Sequence, residues 1–243
     1  MLVRAGQPGT VCIGQASHAW LSGQLARAWT PEAGLEGIWE EVCLAATQHD
    51  LGMARHDGEP LLDPATGGPV GFTALPLGLH LELWDAAPER LWTQSAWAAL
   101  LVSRHGSGLY ARRDLAALEA AQAAAVRAAL ARWAARERRW AAWVGAAPAS
   151  VERAAALLRT WDALSLALCL DWAPWEGEGV ELSAHGTLRP WPFGARDELE
   201  VRCEGRRLTG RAGSRAELAG LLEGAERVDL RFVLRRGGVA PAA

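Results

Sequence analysis

The chain has 243 residues, half of them apolar, and a formal net charge of -3. That length is enough to bury a sizeable core, and the mild acidity disfavours nucleic acid or an anionic membrane as main partner. All 25 basic residues are arginine, which excludes Schiff-base and pyridoxal phosphate catalysis and a Walker-type phosphate loop, because each needs a lysine.

In chain order, residues 2–4 and 10–14 read as two short strands around the turn AGQPG. Ser17 is placed to cap the next helix, in which Leu21, Leu25 and Trp29 recur at helical spacing until Thr30 and Pro31 end it. A second helix is predicted over 34–49, with Leu35, Ile38, Val42 and Ala46 on its inner stripe. Residues 52–76 hold too many Pro, Gly and Asp for regular structure and read as a long loop, either functional or a surface excursion. Helices are predicted over 77–85, 88–105 and 113–144, the last with Leu115, Leu118, Val126, Leu130, Trp133, Trp140 and Val144 near one stripe. Gly145 and Pro148 break it, and Ser150 is placed to cap a helix running to about residue 172.

The pattern changes after Pro174. Residues 180–183, 198–203, 206–209 and 227–234 read as strands, with one short helix over 214–223. A small isolated sheet is marginal, so these strands are expected to pair with the N-terminal hairpin. The expected fold class is α+β, a mostly helical core over residues 16–174 carrying a small antiparallel sheet from 1–15 and 175–243, all in one compact unit. Four scattered cysteines, Cys12, Cys43, Cys169 and Cys203, give no disulfide framework and suit a reducing cytoplasm. The sequence has no signal-peptide pattern and no apolar run near the roughly 20 residues of a membrane span.

Some ionisable residues sit where charge is costly. Asp162 is the one charged residue in TWDALSLALCL, so it needs a partner, with Arg159 and a metal ion as the two candidates. In TQHDLGMARHD a His-Asp pair occurs twice, at His49-Asp50 after an apolar helix and at His56-Asp57 in the Gly/Pro-rich stretch. Neighbouring helical residues differ by about 100° in direction, so His49 and Asp50 reach one site only where a helix ends, and Gly52 supplies a break. A simple structural His-Asp hydrogen bond remains the alternative. His18, His80 and His105 also lie on predicted helices with apolar flanks.

The order His18, His49-Asp50, His80, His105, Asp162 resembles the H…HD…H…H…D signature of the HD-domain superfamily, mostly helical metal-dependent phosphohydrolases. The stretches QASHAWLSGQLA, QHDLG, LDPATGGP, LVSRHGSGLY and WDALSLALC look closer still to an uncharacterised bacterial family within it. The resemblance implies a first metal held by His18, His49, Asp50 and Asp162, and a second bridged by Asp50 and held by His80 and His105. Iron, manganese, zinc, magnesium or nickel would suit, as one ion or two. His56-Asp57 falls outside the signature and is expected to be solvated, or at most to line the pocket mouth.

Many phosphohydrolases of the superfamily carry a lysine shortly after the HD pair, where this chain reads HDLGMAR. Arg55 and Arg104 are the expected replacements for binding phosphate, with Asp50 on the catalytic water and Asp63 as a lesser candidate whose simpler role is an Asp-Pro turn. The implied activity is hydrolysis of a small phosphorylated metabolite, with no nucleic acid or membrane partner. Two alternatives stand beside it, an HD-type di-iron oxygenase on a small organic substrate and a non-catalytic metal- or ligand-binding module.

Overall fold

A computed structural model describes residues 1–237. The chain opens with the hairpin β1 (Leu2–Ala5) and β2 (Thr10–Ile13), then α1 (Gln15–Ala28). A single 3-10 turn at Glu36–Ile38 leads into α2 (Trp39–Gln48), and a second at Leu51–Met53 into the short α3 (Ala54–Gly58). The two-residue strands β3 (Leu62–Asp63) and β4 (Gly68–Pro69) precede α4 (Leu77–Leu91), α5 (Ala96–Ala111), α6 (Ala120–Trp143) and α7 (Pro148–Cys169). Then come β5 (Trp175–Gly177), β6 (Val180–Leu182), β7 (Thr187–Arg189), β8 (Glu198–Leu208), α8 (Arg215–Glu223) and β9 (Glu226–Arg236).

The fold is α+β, with the hairpin joined to the C-terminal strands as expected. Seven strands form one sheet in the order β1-β2-β8-β9-β7-β6-β5. The sheet is mixed rather than purely antiparallel, because β7 pairs parallel with β9. One hydrophobic core runs through both layers, from Leu2 and Ile13 on the hairpin, through Leu21, Leu101 and Trp161 on the helices, to Val201 and Leu234 on the sheet. Trp161 sits at its centre, with Trp29 and Trp39 edge-on to it at ring separations of 5.8 and 5.9 Å. Burying such rings removes large apolar areas from water, and their edge-to-face contacts fix how α1, α2 and α7 meet. No helix among the described residues is long and apolar enough to cross a membrane.

Several local expectations change. Ser17 does not cap α1, whose N-cap position is Gly14. Its hydroxyl donates to the Glu204 carbonyl at 2.7 Å and accepts from the Glu204 N–H at 2.9 Å, pinning α1 to β8. Ser150 lies inside α7, which starts at Pro148 in the first-turn position that suits proline. Pro88 does not separate two helices but is buried within α4, and the break falls later, at Ser95, whose hydroxyl accepts from Ala98 N. The region 52–76 contains α3 and the β3–β4 pair rather than one irregular loop. There Asp63 accepts from Ala65 N and Thr66 Oγ1, both at 2.9 Å, and is a turn residue.

Candidate metal centre

Helical spacing delivers the key side chains to one place. On α1, His18 and Ser22 share the buried face with Leu21 and Leu25. On α5, His105 continues the buried row of Ala98, Leu101 and Val102. On α7, Ser165 follows one turn after Trp161 and close to Asp162. α2 ends at Gln48, and Asp50 leaves the helix with φ -99° and ψ 16°. That departure lets His49 and Asp50 reach the same point, as their position at a helix end predicts.

Four donor atoms converge. His18 Nε2 lies 3.2 Å from His49 Nε2 and 2.8 Å from Asp50 Oδ2. Asp162 Oδ1 lies 3.2 Å from His49 Nε2 and 3.6 Å from His18 Nε2, and His49 Nε2 is 3.6 Å from Asp50 Oδ2. Two ligands bound to one cation at about 2.1 Å and at angles between octahedral and tetrahedral are separated by roughly 3.0–3.4 Å. The donors of His18, His49 and Asp162 all lie within 4.8 Å of one another and could hold a divalent cation, with Asp50 set against the two imidazoles. His105 stands beside it, with Nε2 3.4 Å from Asp162 Oδ2 and a buried Nδ1 that has no hydrogen-bond partner among the described residues.

Outer partners set the imidazole tautomers. His49 Nδ1–H donates to the Ala46 carbonyl at 2.9 Å, leaving Nε2 to face the cluster. Ser165 donates its single hydroxyl hydrogen to the Asp162 carbonyl at 2.8 Å, so it accepts from His18 Nδ1 at 2.7 Å. Ser22, 2.8 Å from Ser165 Oγ, completes this support. Hydrogen bonds of this kind orient metal-binding imidazoles.

The electrostatics follow from four lone-pair donors packed in a buried space. Burial pulls His49 down, but Asp50 and Asp162 outweigh it and raise its pKa to about 9. Burial pushes Asp162 up, yet His49, His105 and His18 hold it well below the usual carboxylate range. Asp50 is likewise lowered, because His49 and His18 overcome its burial. Burial dominates at His105 and lowers it to about 4. Donors this close require positive charge among them, a proton or a cation.

A cavity of about 410 Å³ opens onto this cluster. His18, Asp50, His105 and Asp162 line it together with Gln15, Met53, Phe72, Leu75, Leu77, His80, Trp84, Tyr110, Arg112 and Arg113, among others. His49 lies behind them, fully buried.

Not every expected residue joins. His80 lines the cavity, but both its ring nitrogens are committed. Nε2 accepts from Trp84 Nε1 at 3.2 Å and Nδ1 contacts Tyr110 Oη at 2.6 Å. The ligand set for a second metal is therefore not assembled around His80. Arg55 is exposed and does not line the cavity. Arg104 is turned toward α6 and α7, paired with Glu137 at 3.1 Å and with Glu152. The arginines on the cavity are Arg112 and Arg113. Arg159, the alternative partner for Asp162, pairs instead with Glu178 at 3.6 Å.

The second His-Asp pair is not solvated. His56 is buried, and Asp57 is largely so. Asp57 accepts from the Gln15 N–H at the start of α1 and lies 3.0 Å from the Met1 amino group. It caps, from outside, the helix that carries His18. Asp57→Ala is expected to lower stability by about 1–2 kcal/mol, as for loss of a helix cap, while bound metal per chain stays unchanged. Chemical denaturation with elemental analysis checks both.

Sequence reasoning missed Ser22, Ser165, Tyr110 and Arg113. The sequence did carry a signal for Ser165, which stands three residues after the isolated Asp162 in an apolar run and hence on the same side of a helix.

Fold and site together define an α+β protein with a buried His/Asp cluster opening into a cavity. The chain belongs to the family described as protein of unknown function (DUF3891), whose model matches residues 1–210 and so spans every residue of the cluster. No curated protein and no solved structure matches the chain.

Proposed function

We propose that this protein is a metal-dependent hydrolase of small phosphate esters, with one divalent cation held by His18, His49, Asp50 and Asp162. The observation that carries the proposal is the convergence of those four side chains, with the His18 and His49 nitrogens 2.8–3.6 Å from each other and from the Asp50 and Asp162 oxygens, beside a cavity of ligand size. The likeness of the His and Asp order to the HD-domain superfamily supports it, as does the placement of Arg112 and Arg113 on the same cavity.

A bound divalent cation supplies an activated water near neutral pH and offsets charge on phosphoryl oxygens. The chain's own residues do the rest. Ser165 and the Ala46 carbonyl hold His18 and His49 in the metal-binding tautomer. Asp50 and Asp162 add the negative charge that favours a dication over a proton. Met53, Phe72, Leu75 and Leu77 give the cavity an apolar lining that suits an alcohol portion with apolar surface. The four free, buried cysteines support a place in the reducing cytoplasm.

The di-iron oxygenase alternative needs two ions, and with His80 bonded to Trp84 and Tyr110 one of its ligands is occupied. Hydrolysis is therefore preferred. The test is elemental analysis of the purified chain, followed by assay on p-nitrophenyl phosphate before and after chelation. Chelation should abolish phosphate release, and a restored divalent ion should recover it. Dioxygen uptake without phosphate release would favour the oxygenase, and a chain that binds no divalent metal would end the proposal.

A further inference from the structure

A directional chain of hydrogen bonds ends on the chain's single tyrosine. The indole of Trp84 is a donor only, so His80 Nε2, 3.2 Å away, must accept and be unprotonated. The proton of the neutral ring is then on Nδ1, which donates to Tyr110 Oη at 2.6 Å. Burial works in the same direction, holding His80 below the ordinary imidazole range. The hydroxyl hydrogen of Tyr110 is left with no acceptor among the described residues. Tyr110 is 3% exposed and lines the cavity of the metal cluster. A buried hydroxyl in such a place is prepared to donate to a ligand.

Arg113 completes the arrangement. It lines the same cavity, its guanidinium lies 5.9 Å from the centre of the Tyr110 ring, and it has no carboxylate partner among the described residues. Its neighbour Arg112 is already paired with Glu178 at 2.7 Å.

We propose that the Tyr110 hydroxyl and Arg113 form an anion-binding subsite beside the metal centre, that His80 is its positioning residue, and that the anion is the phosphate group of the substrate. The inference deepens the hydrolase reading and rests on it only for the identity of the anion. A fixed O–H donor and an unpaired guanidinium together suit the oxygens of a phosphate better than a neutral group. His80 holds the hydroxyl by donating to it, and donation to Tyr110 Oη strengthens its own hydrogen as a donor.

The test measures the dissociation constant of inorganic phosphate by calorimetry, on the full chain with its metal and after chelation. Tyr110→Phe keeps the ring packed on Trp133, at 5.7 Å, and removes only the hydroxyl. It should bind phosphate roughly tenfold to a hundredfold more weakly, the usual worth of a hydrogen bond to a charged group. Arg113→Gln, at an exposed position, should do the same, and both variants should retain wild-type metal content. His80→Ala should also weaken phosphate binding with metal content unchanged. His80→Asn, whose amide nitrogen takes the place of Nδ1, should recover much of the loss.

Wild-type affinity in Tyr110→Phe, or no phosphate binding by the wild-type chain, would overturn the subsite. Loss of metal in His80→Ala would overturn the positioning role and return His80 to the ligands. A chain that holds no metal and cleaves no ester, yet loses phosphate affinity in Tyr110→Phe, would sink the hydrolase reading and leave the subsite standing.

Discussion

His49→Ala and Asp50→Ala should each purify with most of their bound divalent metal gone, whereas His56→Ala should keep it. His49 is fully buried, its Nδ1 is spent on the Ala46 carbonyl, and its Nε2 lies 3.2 Å from donors on α1 and α7. Asp50 lies 2.8 Å from His18 Nε2 and supplies one of the two carboxylates of the cluster. Replacing an outer partner of a metal ligand costs roughly tenfold to a hundredfold in affinity. Direct removal of a donor should cost about a hundredfold or more on that scale. His56 has no part in the cluster, although Asp57 beside it caps α1. The measurement is metal content after gel filtration, backed by a zinc or manganese titration of the stripped proteins and by circular dichroism to show that each variant folds. Equal metal retention in all three would mean that the first His-Asp pair is not the centre. Ser165→Ala provides a graded control, because it removes the acceptor that orients His18 and leaves the four donor side chains in place. Its loss should fall within the tenfold to hundredfold range.

The cluster was legible for a physical reason. A carboxylate in an apolar helical run such as TWDALSLALCL is too costly to leave alone, and Asp162 does lie against three histidines. A His-Asp pair at a helix end has the backbone freedom to aim both side chains at one point, and the chain uses it. The arginines that line the cavity were not legible, because direction around a helix decides them. Arg104 is adjacent to His105, so it is rotated by about 100° and faces α6 and α7 instead of the cavity. Arg113 lies beyond the end of α5, where no periodicity says which way a side chain goes. His80 had the same apolar flanks as the other histidines. What separates it is a tryptophan one turn later and a tyrosine brought across from α5, and only the second of these needs tertiary structure. In the sheet, β8 reads as two strands because Glu204-Gly205 interrupts the pattern, and the three-residue β5 and β7 are too short to show any alternation.

Gly52→Ala should be among the most damaging small substitutions in the chain, and it acts on the same turn. Gly52 is buried in the 3-10 turn directly after His49-Asp50. A Cβ there would meet the Leu83 carbonyl oxygen at 2.3 Å and Ala87 Cβ at 2.8 Å, both on α4. A backbone oxygen cannot swing aside as the tip of a long side chain can, so the helix and the turn must separate. Overpacking of a tight site typically costs about 1–3 kcal/mol, and a clash with backbone belongs at the upper end. For a chain of this size that lowers the melting temperature by roughly 6–12 °C. The same displacement moves Asp50 relative to His18 and carries His80 and Trp84 with α4, so metal affinity should fall together with stability. Gly78 on the same helix is the control, because nothing lies within 4 Å of a Cβ added there. Gly78→Ala should leave the melting temperature unchanged or raise it, since alanine costs less helix entropy than glycine. Scanning calorimetry on the two variants, with metal analysis of each, separates close approach from any general intolerance of alanine. If both variants melt with the wild type, α4 does not press on the His49-Asp50 turn, and the packing that holds the His/Asp cluster in register has another origin.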